Sequence, residues 1–452
     1  MDQLGNPNSL LDNKNNDNNN VVTTNTSIQK NRFPSLASLS KDQKALISIT
    51  GSHGTDIIGC VLECMAKHDY VIEDFNLSRL YHKVTYSVLI TLKRENAEEL
   101  FNDVSDAAKK WDASLAIDLQ NFAGDQDKPP ISLEDAPYVN RVKYAATILN
   151  QNGLATKFMN EWTKLLLREK ISVEKMQRLN EGRMLTCADY KLSIPLETDF
   201  DKLRRDLFQL SRSYYTDVAL QPYDIFRRHK RLVVFDMDST LIEQEVIDEI
   251  ARLAGVVNDV AAITELAMNG EIDFKESLKR RVLLLKGTSV DVIEIVKKNL
   301  TFTEGAHFLC KILKKIGFKL AVISGGFIPL ANYVKSELGL DYAFANELKV
   351  SPDGLTLTGE TIGPIIDGQR KAELLEVIAQ AEGVALNQVI AIGDGANDLW
   401  MLSKAGLGIA FNAKPRVQEK ASTRINQRSL KYVLYLLGYT DEDAKQLYST
   451  DN

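Results

Sequence analysis

An apolar run, Leu232-Val233-Val234-Phe235, ends in Asp236-Met237-Asp238-Ser239-Thr240. No other feature limits the fold as tightly. Consecutive aliphatic and aromatic residues of this length read as a strand buried on both faces, as in parallel sheets covered by helices. Two carboxylates one residue apart are costly to place at the mouth of such a strand. The carboxyl ends of the strands are also where open α/β sheets hold their ligand crevice. There Asp236 can attack an electrophile and help hold a cation, while Asp238 can carry a proton. Acids after a strand also serve as turn formers and helix caps, so the pair taken alone leaves both readings open.

Beyond Arg231 the chain alternates strand and helix. Lys319–Ile323, Gln388–Ile392 and Leu407–Ala410 read as further buried parallel strands, with helices at Ile328–Leu338 and Lys371–Ala381. Residues 246 to 300 form a helical insert without strand signals. Phe344 to Gly363, with Pro352-Asp353-Gly354 at its turn, reads as a hairpin-like excursion. Residues 230–438 thus describe an α/β domain, a Rossmann-like parallel sheet with a helical cap inserted at about 246–300.

The first half has another rhythm. Residues 44–122 give strand, helix, two strands, helix, strand: Ala45–Thr50, Ile57–His68, Tyr70–Leu80, Val84–Lys93, Ala97–Lys110 and about Ser114–Gln120. Residues 140–225 repeat it as Lys143–Asn150, Leu154–Arg168, Glu174–Leu179, Leu185–Ile194, Asp199–Ser213 and Thr216–Pro222. Two βαββαβ units in tandem give ferredoxin-like domains. Asp125-Gln126-Asp127-Lys128-Pro129-Pro130 reads as the linker between them. Residues 1–40 are polar and Asn-rich, too poor in apolar surface to offset the entropy of ordering, and read as a disordered tail.

Composition narrows the function classes. At 452 residues and 44% hydrophobic content, the chain can bury several cores. A formal charge of −6 without a basic stripe argues against a nucleic-acid partner. No stretch nears the roughly 20 apolar residues that span a bilayer, and the N-terminus lacks the apolar core of a secretory signal. Cys60, Cys64, Cys187 and Cys310 are scattered and complete no zinc pattern, which suits buried thiols in a reducing, cytoplasmic setting.

Further strand ends add to the two acids. Ala321-Val322-Ile323 ends in Ser324-Gly325-Gly326, a hydroxyl followed by glycine amides that suits phosphate oxygens. Ile390-Ala391-Ile392 ends in Gly393-Asp394-Gly395-Ala396-Asn397-Asp398 and brings two more carboxylates to the same rim. A calcium loop fails on this segment, because Leu399 and Ala405 stand where glycine and glutamate belong. Lys371 opens a helix just upstream. By itself it reads as a surface lysine. Beside a transferring phosphoryl group it would offset charge.

DxDxT, then Ser at a strand end, then Lys, then GDxxxD resemble the haloacid dehalogenase superfamily of phosphotransferases. Within it, residues 230 to 438 resemble the phosphoserine phosphatase family. That likeness is carried by Asp236 to Leu241, Glu245 to Ala251, Met268-Asn269-Gly270, Phe274, Ser277 to Val282, Ser324 to Phe327 and Gly393 to Asp398. The resemblance implies that Asp236 is the nucleophile and Asp238 the acid/base. It implies Mg²⁺ held by Asp236, Asp394 and the Asp238 carbonyl, with Asp398 behind. Ser324, Gly325 and Lys371 would bind the phosphoryl group, with Asn397 nearby. Glu245 and Arg281 would meet the substrate's amino and carboxylate groups, and Met268 and Phe274 would wall the pocket. The implied reaction is Mg²⁺-dependent hydrolysis of O-phospho-L-serine through a phosphoaspartyl intermediate, the final step of serine biosynthesis.

Chemistry reaches parts of this set independently. Phosphoserine is a zwitterion carrying a phosphate near charge −2, so its recognition needs an acid for the ammonium and a bidentate arginine for the carboxylate. In Lys279-Arg280-Arg281 a helix aims only one arginine inward. Rival readings are the same chemistry on another small phosphomonoester, phosphoryl transfer to an acceptor other than water, and a catalytically silent amino-acid sensor. Asp236, Asp238, Lys371 and Asp394 together argue against silence.

The tandem units resemble ACT domains, small ligand-sensing modules attached to enzymes of amino-acid metabolism. The loop Gly51-Ser52-His53-Gly54-Thr55-Asp56 lacks that family's Asp-Arg-Pro-Gly-like turn, and Asn150-Gln151-Asn152-Gly153 departs further. His53 therefore reads as a loop residue. Holding protomers together as a homo-oligomer is the role this resemblance leaves to the modules.

Overall fold

The computed structural model describes residues 42–52, 54–80, 82–120 and 140–449. The Asn-rich tail, His53 and the 125–130 linker lie outside the described residues. The chain divides into two compact units, residues 1–130 and 131–452.

In the first unit, β1 (Asp42–Gly51), α1 (Gly54–Met65), β2 (Tyr70–Leu80), β3 (Lys83–Lys93), α2 (Ala97–Lys110) and β4 (Ser114–Gln120) build an antiparallel sheet of order β2-β3-β1-β4. Period-two alternation buries Ala45, Ile47 and Ile49 on one face of β1. On α2, Leu100, Phe101 and Val104 fall at helical spacing and cover that face.

The second unit begins with the same plan. β5 (Arg141–Leu149), α3 (Thr156–Arg168), β6 (Ser172–Arg178), β7 (Cys187–Pro195), α4 (Phe200–Tyr214) and β8 (Asp217–Pro222) give the order β6-β7-β5-β8. Phe158 and Trp162 of α3 fill its core. Asp199 caps α4, accepting from the Asp201 and Lys202 amides at 3.0 Å each.

Next come β9 (Leu232–Phe235) and the helical insert: α5 (Val246–Leu253), α6 (Val257–Asn269), α7 (Phe274–Leu284) and α8 (Val292–Asn299). After it follow α9 (Ala306–Lys315), β10 (Lys319–Phe327), α10 (Ile328–Leu338), β11 (Tyr342–Val350), β12 (Leu357–Ile362) and α11 (Gly368–Ala381). Then come β13 (Val389–Gly393), α12 (Leu399–Lys404), β14 (Leu407–Phe411), α13 (Pro415–Lys420) and β15 (Thr423–Ile425), followed by two short helices, α14 (Val433–Leu436) and α15 (Asp441–Ser449). The sheet has seven strands in the order β12-β11-β10-β9-β13-β14-β15.

β9 runs parallel between β10 and β13, with Phe235 level with Val322 on one side and Ile392 on the other. That register places the ends of the three strands side by side, so Asp236, Ser324 and Asp394 come from one rim. The hairpin expected at Phe344–Gly363 is only partly a hairpin. β11 starts as a parallel sheet member beside β10, with Ala321 level with Tyr342, and only beyond Asn346 pairs antiparallel with β12. The pairing of β10 with β11 is irregular between Ile323 and Phe327, so the Ser324-Gly325-Gly326 backbone is re-aimed at the strand end.

The second βαββαβ module and the α/β domain share a core. Leu149, Leu179, Cys187 and Ala219 pack in one cluster with Tyr432, Leu434 and Leu436. Arg227, 4% exposed, donates to both Asp189 oxygens at 2.6 and 3.0 Å and to the Leu436 carbonyl at 3.2 Å. No helix among the described residues is long and apolar enough to cross a membrane.

Candidate active site

Three strand ends meet around one lysine. Lys371 lies in the first turn of α11, whose N-cap Asp367 accepts from the Arg370 amide at 2.8 Å. It is fully buried, and its Nζ sits 2.7 Å from Asp236 Oδ1 and 2.7 Å from Asp398 Oδ1. Burial pulls the ammonium's pKa down, but Asp236 and Asp398 outweigh it and hold Lys371 above the ordinary lysine value. The surface reading of this lysine is thereby excluded.

Asp236 is 5% exposed and accepts from the Met237 amide at 2.7 Å, again through Oδ1. Burial and the charges of Asp398 and Asp394 raise its carboxyl well above the carboxylate range, with Lys371 opposing. Asp398 is spent: Oδ1 takes Lys371 and Oδ2 takes the Gly395 amide at 3.0 Å. Asp394 accepts from Thr240 Oγ1 at 3.2 Å, and burial together with Asp398 and Glu245 pushes its carboxyl up to about 7.

Asp238 has the most telling environment. Its Oδ1 is shut off from solvent and has no hydrogen-bond partner among the described residues. Burial first and Glu245 second raise its carboxyl well above the ordinary range, although the Val246 amide opposes them. Both influences favour the protonated carboxyl over the carboxylate.

One side-chain oxygen from each of Asp236, Asp394 and Asp398 lies within 4.8 Å of the other two. Four carboxyl groups around one ammonium are short of positive charge, and oxygen donors so grouped suit a hard cation such as Mg²⁺. With both Asp398 oxygens taken, by Lys371 and the Gly395 amide, Asp394 and the free Oδ2 of Asp236 are the side-chain donors left for it.

Ser324 is fully buried at the β10 end and accepts from the Gly326 amide at 2.8 Å. A Cβ on Gly325 would lie 2.9 Å from the Phe274 ring and 4.0 Å from Asn397 Nδ2, so the cap and the Gly393–Asp398 loop both close on this glycine. Asn346 of β11 holds the turn, donating to the Gly325 carbonyl and accepting from the Ile366 amide, each at 2.8 Å. Sequence reasoning missed Asn346, because its segment read as a hairpin away from the sheet. Ser239 Oγ donates to Glu245 at 2.8 Å and fixes that exposed acid at the start of α5.

On α7, Arg280 faces outward and pairs with Glu276 at 2.7 Å. Arg281 is turned inward; its Nε is occluded and unpartnered among the described residues. Burial lowers its pKa, against the fields of Asp248, Glu245 and Asp238. Met268 is 56% exposed, with its sulfur 3.5 Å from Lys414 Nζ of the α/β domain. The cap has a second tie, Lys275 to Asp367 at 3.0 Å.

Residues 230–406 match the family model for haloacid dehalogenase-like hydrolases. A solved haloacid dehalogenase-family hydrolase of Salmonella enterica serovar Typhi covers 65% of this chain and 98% of its own, at 33% identity and a TM-score of 0.56. Fold and site thus define a hydrolase of that superfamily. The Saccharomyces cerevisiae phosphoserine phosphatase is 50% identical over 50% of this chain and 74% of its own length. The Streptomyces coelicolor phosphoserine phosphatase is 35% identical over 88% of this chain and 93% of its own. The chain belongs to the phosphoserine phosphatase family.

Proposed function

We propose that this protein hydrolyses O-phospho-L-serine to L-serine and phosphate. The observation that carries the reading is the pair of unlike carboxyls at one strand end. Asp236 is held by Lys371 and the Met237 amide through Oδ1, which leaves Oδ2 to attack phosphorus. The bond from phosphorus to the serine oxygen breaks as Asp238, whose environment favours the protonated carboxyl, gives a proton to that oxygen. Asp238, now a carboxylate, then takes a proton from the water that attacks the phosphoaspartate, which releases phosphate and restores Asp236. Lys371, the Ser324 hydroxyl and the glycine amides beside it steady the phosphoryl oxygens. Asp236, Asp394 and the Asp238 carbonyl would hold Mg²⁺, which when bound supplies Lewis-acid stabilisation of phosphoryl charge. Glu245 receives the substrate ammonium and Arg281 its carboxylate, with Phe274 over Gly325 and Asn397 beside it excluding water.

Phosphate release from O-phospho-L-serine, with and without Mg²⁺, tests this directly. Arg281→Ala should depress that activity far more than hydrolysis of p-nitrophenyl phosphate, because loss of a charge-assisted partner costs about 2–5 kcal/mol. Equal losses on both substrates would remove Arg281 from the recognition of serine. Appreciable turnover by Asp236→Asn would remove the covalent route.

The first module supports assembly into a homo-oligomer. β2 is an 11-residue edge strand. It exposes Val71, Phe75, Leu77 and Leu80 by 53 to 84%. A long apolar edge of that kind needs cover, and a second copy of the chain supplies it. Sedimentation of a Phe75→Lys, Leu80→Lys variant should show a smaller particle than the parent. Cys187 and Cys310 are buried thiols without disulfides, their pKa raised by burial, which supports a reducing, cytoplasmic setting.

A further inference from the structure

A hollow lies away from the carboxylates. It has a volume of about 960 Å³ and is bounded by α4 and β8 of the second βαββαβ module and by α12, β14, α13 and β15 of the α/β domain. Leu207, Phe208, Leu220, Leu399 and Leu402 give it an apolar floor. Around them stand five cations, Arg204, Arg205, Arg212, Lys420 and Arg424, against two acids, Asp201 and Glu419. In a chain whose formal charge is −6, that local excess of positive charge is unusual. It is also poorly neutralised. Arg204 to Asp201 at 3.9 Å is the one ion pair these five cations make among the described residues.

Arg424 is the built part of the wall. It is 7% exposed, and its guanidinium lies over the Phe208 ring at 4.6 Å, with Arg212 near the same ring at 5.8 Å. Its Nη1 donates to the Gln418 carbonyl at 3.3 Å, while its Nε is occluded and has no acceptor among the described residues. The field of Asp217 supports it, but the Asp217 oxygens are already taken by the Asn426 amide at 2.6 Å, the Asn426 side chain at 2.9 Å and Gln427 at 2.9 Å. A buried arginine that lines a cationic hollow, stacks on an aromatic ring and has no carboxylate partner among the described residues is placed to meet an oxyanion.

We propose that this hollow is a binding site for a small polyanion carrying several phosphoryl or carboxylate oxygens. Its size suits a metabolite, since ligand clefts run from roughly 300 to 1,000 Å³. An occupant would sit against Leu399 and Leu402 of α12, the helix that starts one residue after Asp398. The site is independent of the reading of the active site, because its test reads binding.

Isothermal titration of the full chain in metal-free buffer with inorganic pyrophosphate and, separately, with citrate tests it. Saturable binding of one or both, at one anion per chain, is expected. Pyrophosphate alone would assign a phosphoryl ligand, and citrate alone a carboxylate one. The double variant Arg212→Gln, Lys420→Gln replaces two exposed residues far from the carboxylates and should turn over like the parent. Its binding should weaken about tenfold or more, a loss of roughly 1.4 kcal/mol. Equal affinity in parent and variant would place the anion elsewhere and overturn the proposal. So would the absence of saturable binding for both probes.

Discussion

Replacing Lys371 by methionine removes one charge and keeps the length of the side chain. At 2.7 Å from Asp236 and 2.7 Å from Asp398, each attraction is about 6 kcal/mol in a medium of effective dielectric near 20. Taking the ammonium and both carboxylates out of water costs several kcal/mol per ion. The pairings and that cost are therefore of similar size, and the ion network adds little net stability while intact. Breaking it is different, because two buried carboxylates lose their shared partner beside Asp238 and Asp394. A loss of about 3–5 kcal/mol is expected in metal-free protein near pH 8. Amide hydrogen exchange in peptides spanning β9 and β13 reads this locally, without requiring the whole chain to unfold as one.

The pH dependence has a definite sign. Asp236 already has a folded pKa above the ordinary 3.8, and losing Lys371 raises it further. An acid raised on folding binds more protons in the folded state. Its favourable contribution is complete below the unfolded value and is lost as pH rises through the folded one. The gap between parent and variant should therefore narrow near pH 5.5 and widen near pH 8. A gap under about 1 kcal/mol at both pH values would refute the claim that Lys371 neutralises these two buried acids.

Asp394, with a folded pKa of about 7 against an ordinary 3.8, should make metal-free protein lose stability between pH 4 and 7, by on the order of 4 kcal/mol. Saturating Mg²⁺ should flatten that slope, and equal slopes in Mg²⁺ and in chelator would count against Asp394 as a ligand. Gly393→Ala would set a Cβ 2.5 Å from the Asp398 carboxyl carbon and turn that acid away from Lys371, costing about 1–3 kcal/mol and most of the turnover; melting temperature and phosphate release check it. A fragment starting at Arg228 loses the Arg227 contacts to Asp189 and Leu436 and bares the core around Leu434, so it should melt lower and aggregate more readily than residues 131–452.

What the sequence disclosed follows from how local each signal is. The strand ends were legible because a buried parallel strand is an uninterrupted apolar run, and polar residues directly after it must face the crevice: Asp236, Ser324 and Asp394 needed no tertiary information. The two βαββαβ units were legible for a similar reason, since periodicity switches between two and 3.6 at each boundary. Lys371 was ambiguous because nothing beside it in the chain reveals that α11 turns its first turn toward the carboxylates. Its burial is a property of partners 135 and 27 residues away, Asp236 and Asp398. Asn346 left no trace at all, being one polar residue in a strand whose parallel half is short and whose Pro352-Asp353-Gly354 turn dominates the pattern.

The boundary near residue 228 was obscured for the opposite reason. A fresh strand–helix rhythm begins there, but packing does not part there, because Gln221 and Arg227 both reach the Leu436 carbonyl and Asp217 holds the Asn426 amide. Periodicity reports where an element type changes. Only side chains donating across the seam decide whether two such regions separate. The cationic hollow lies on that same seam, so a change of ligand there and a change of packing between module and catalytic domain are two readings of one set of contacts.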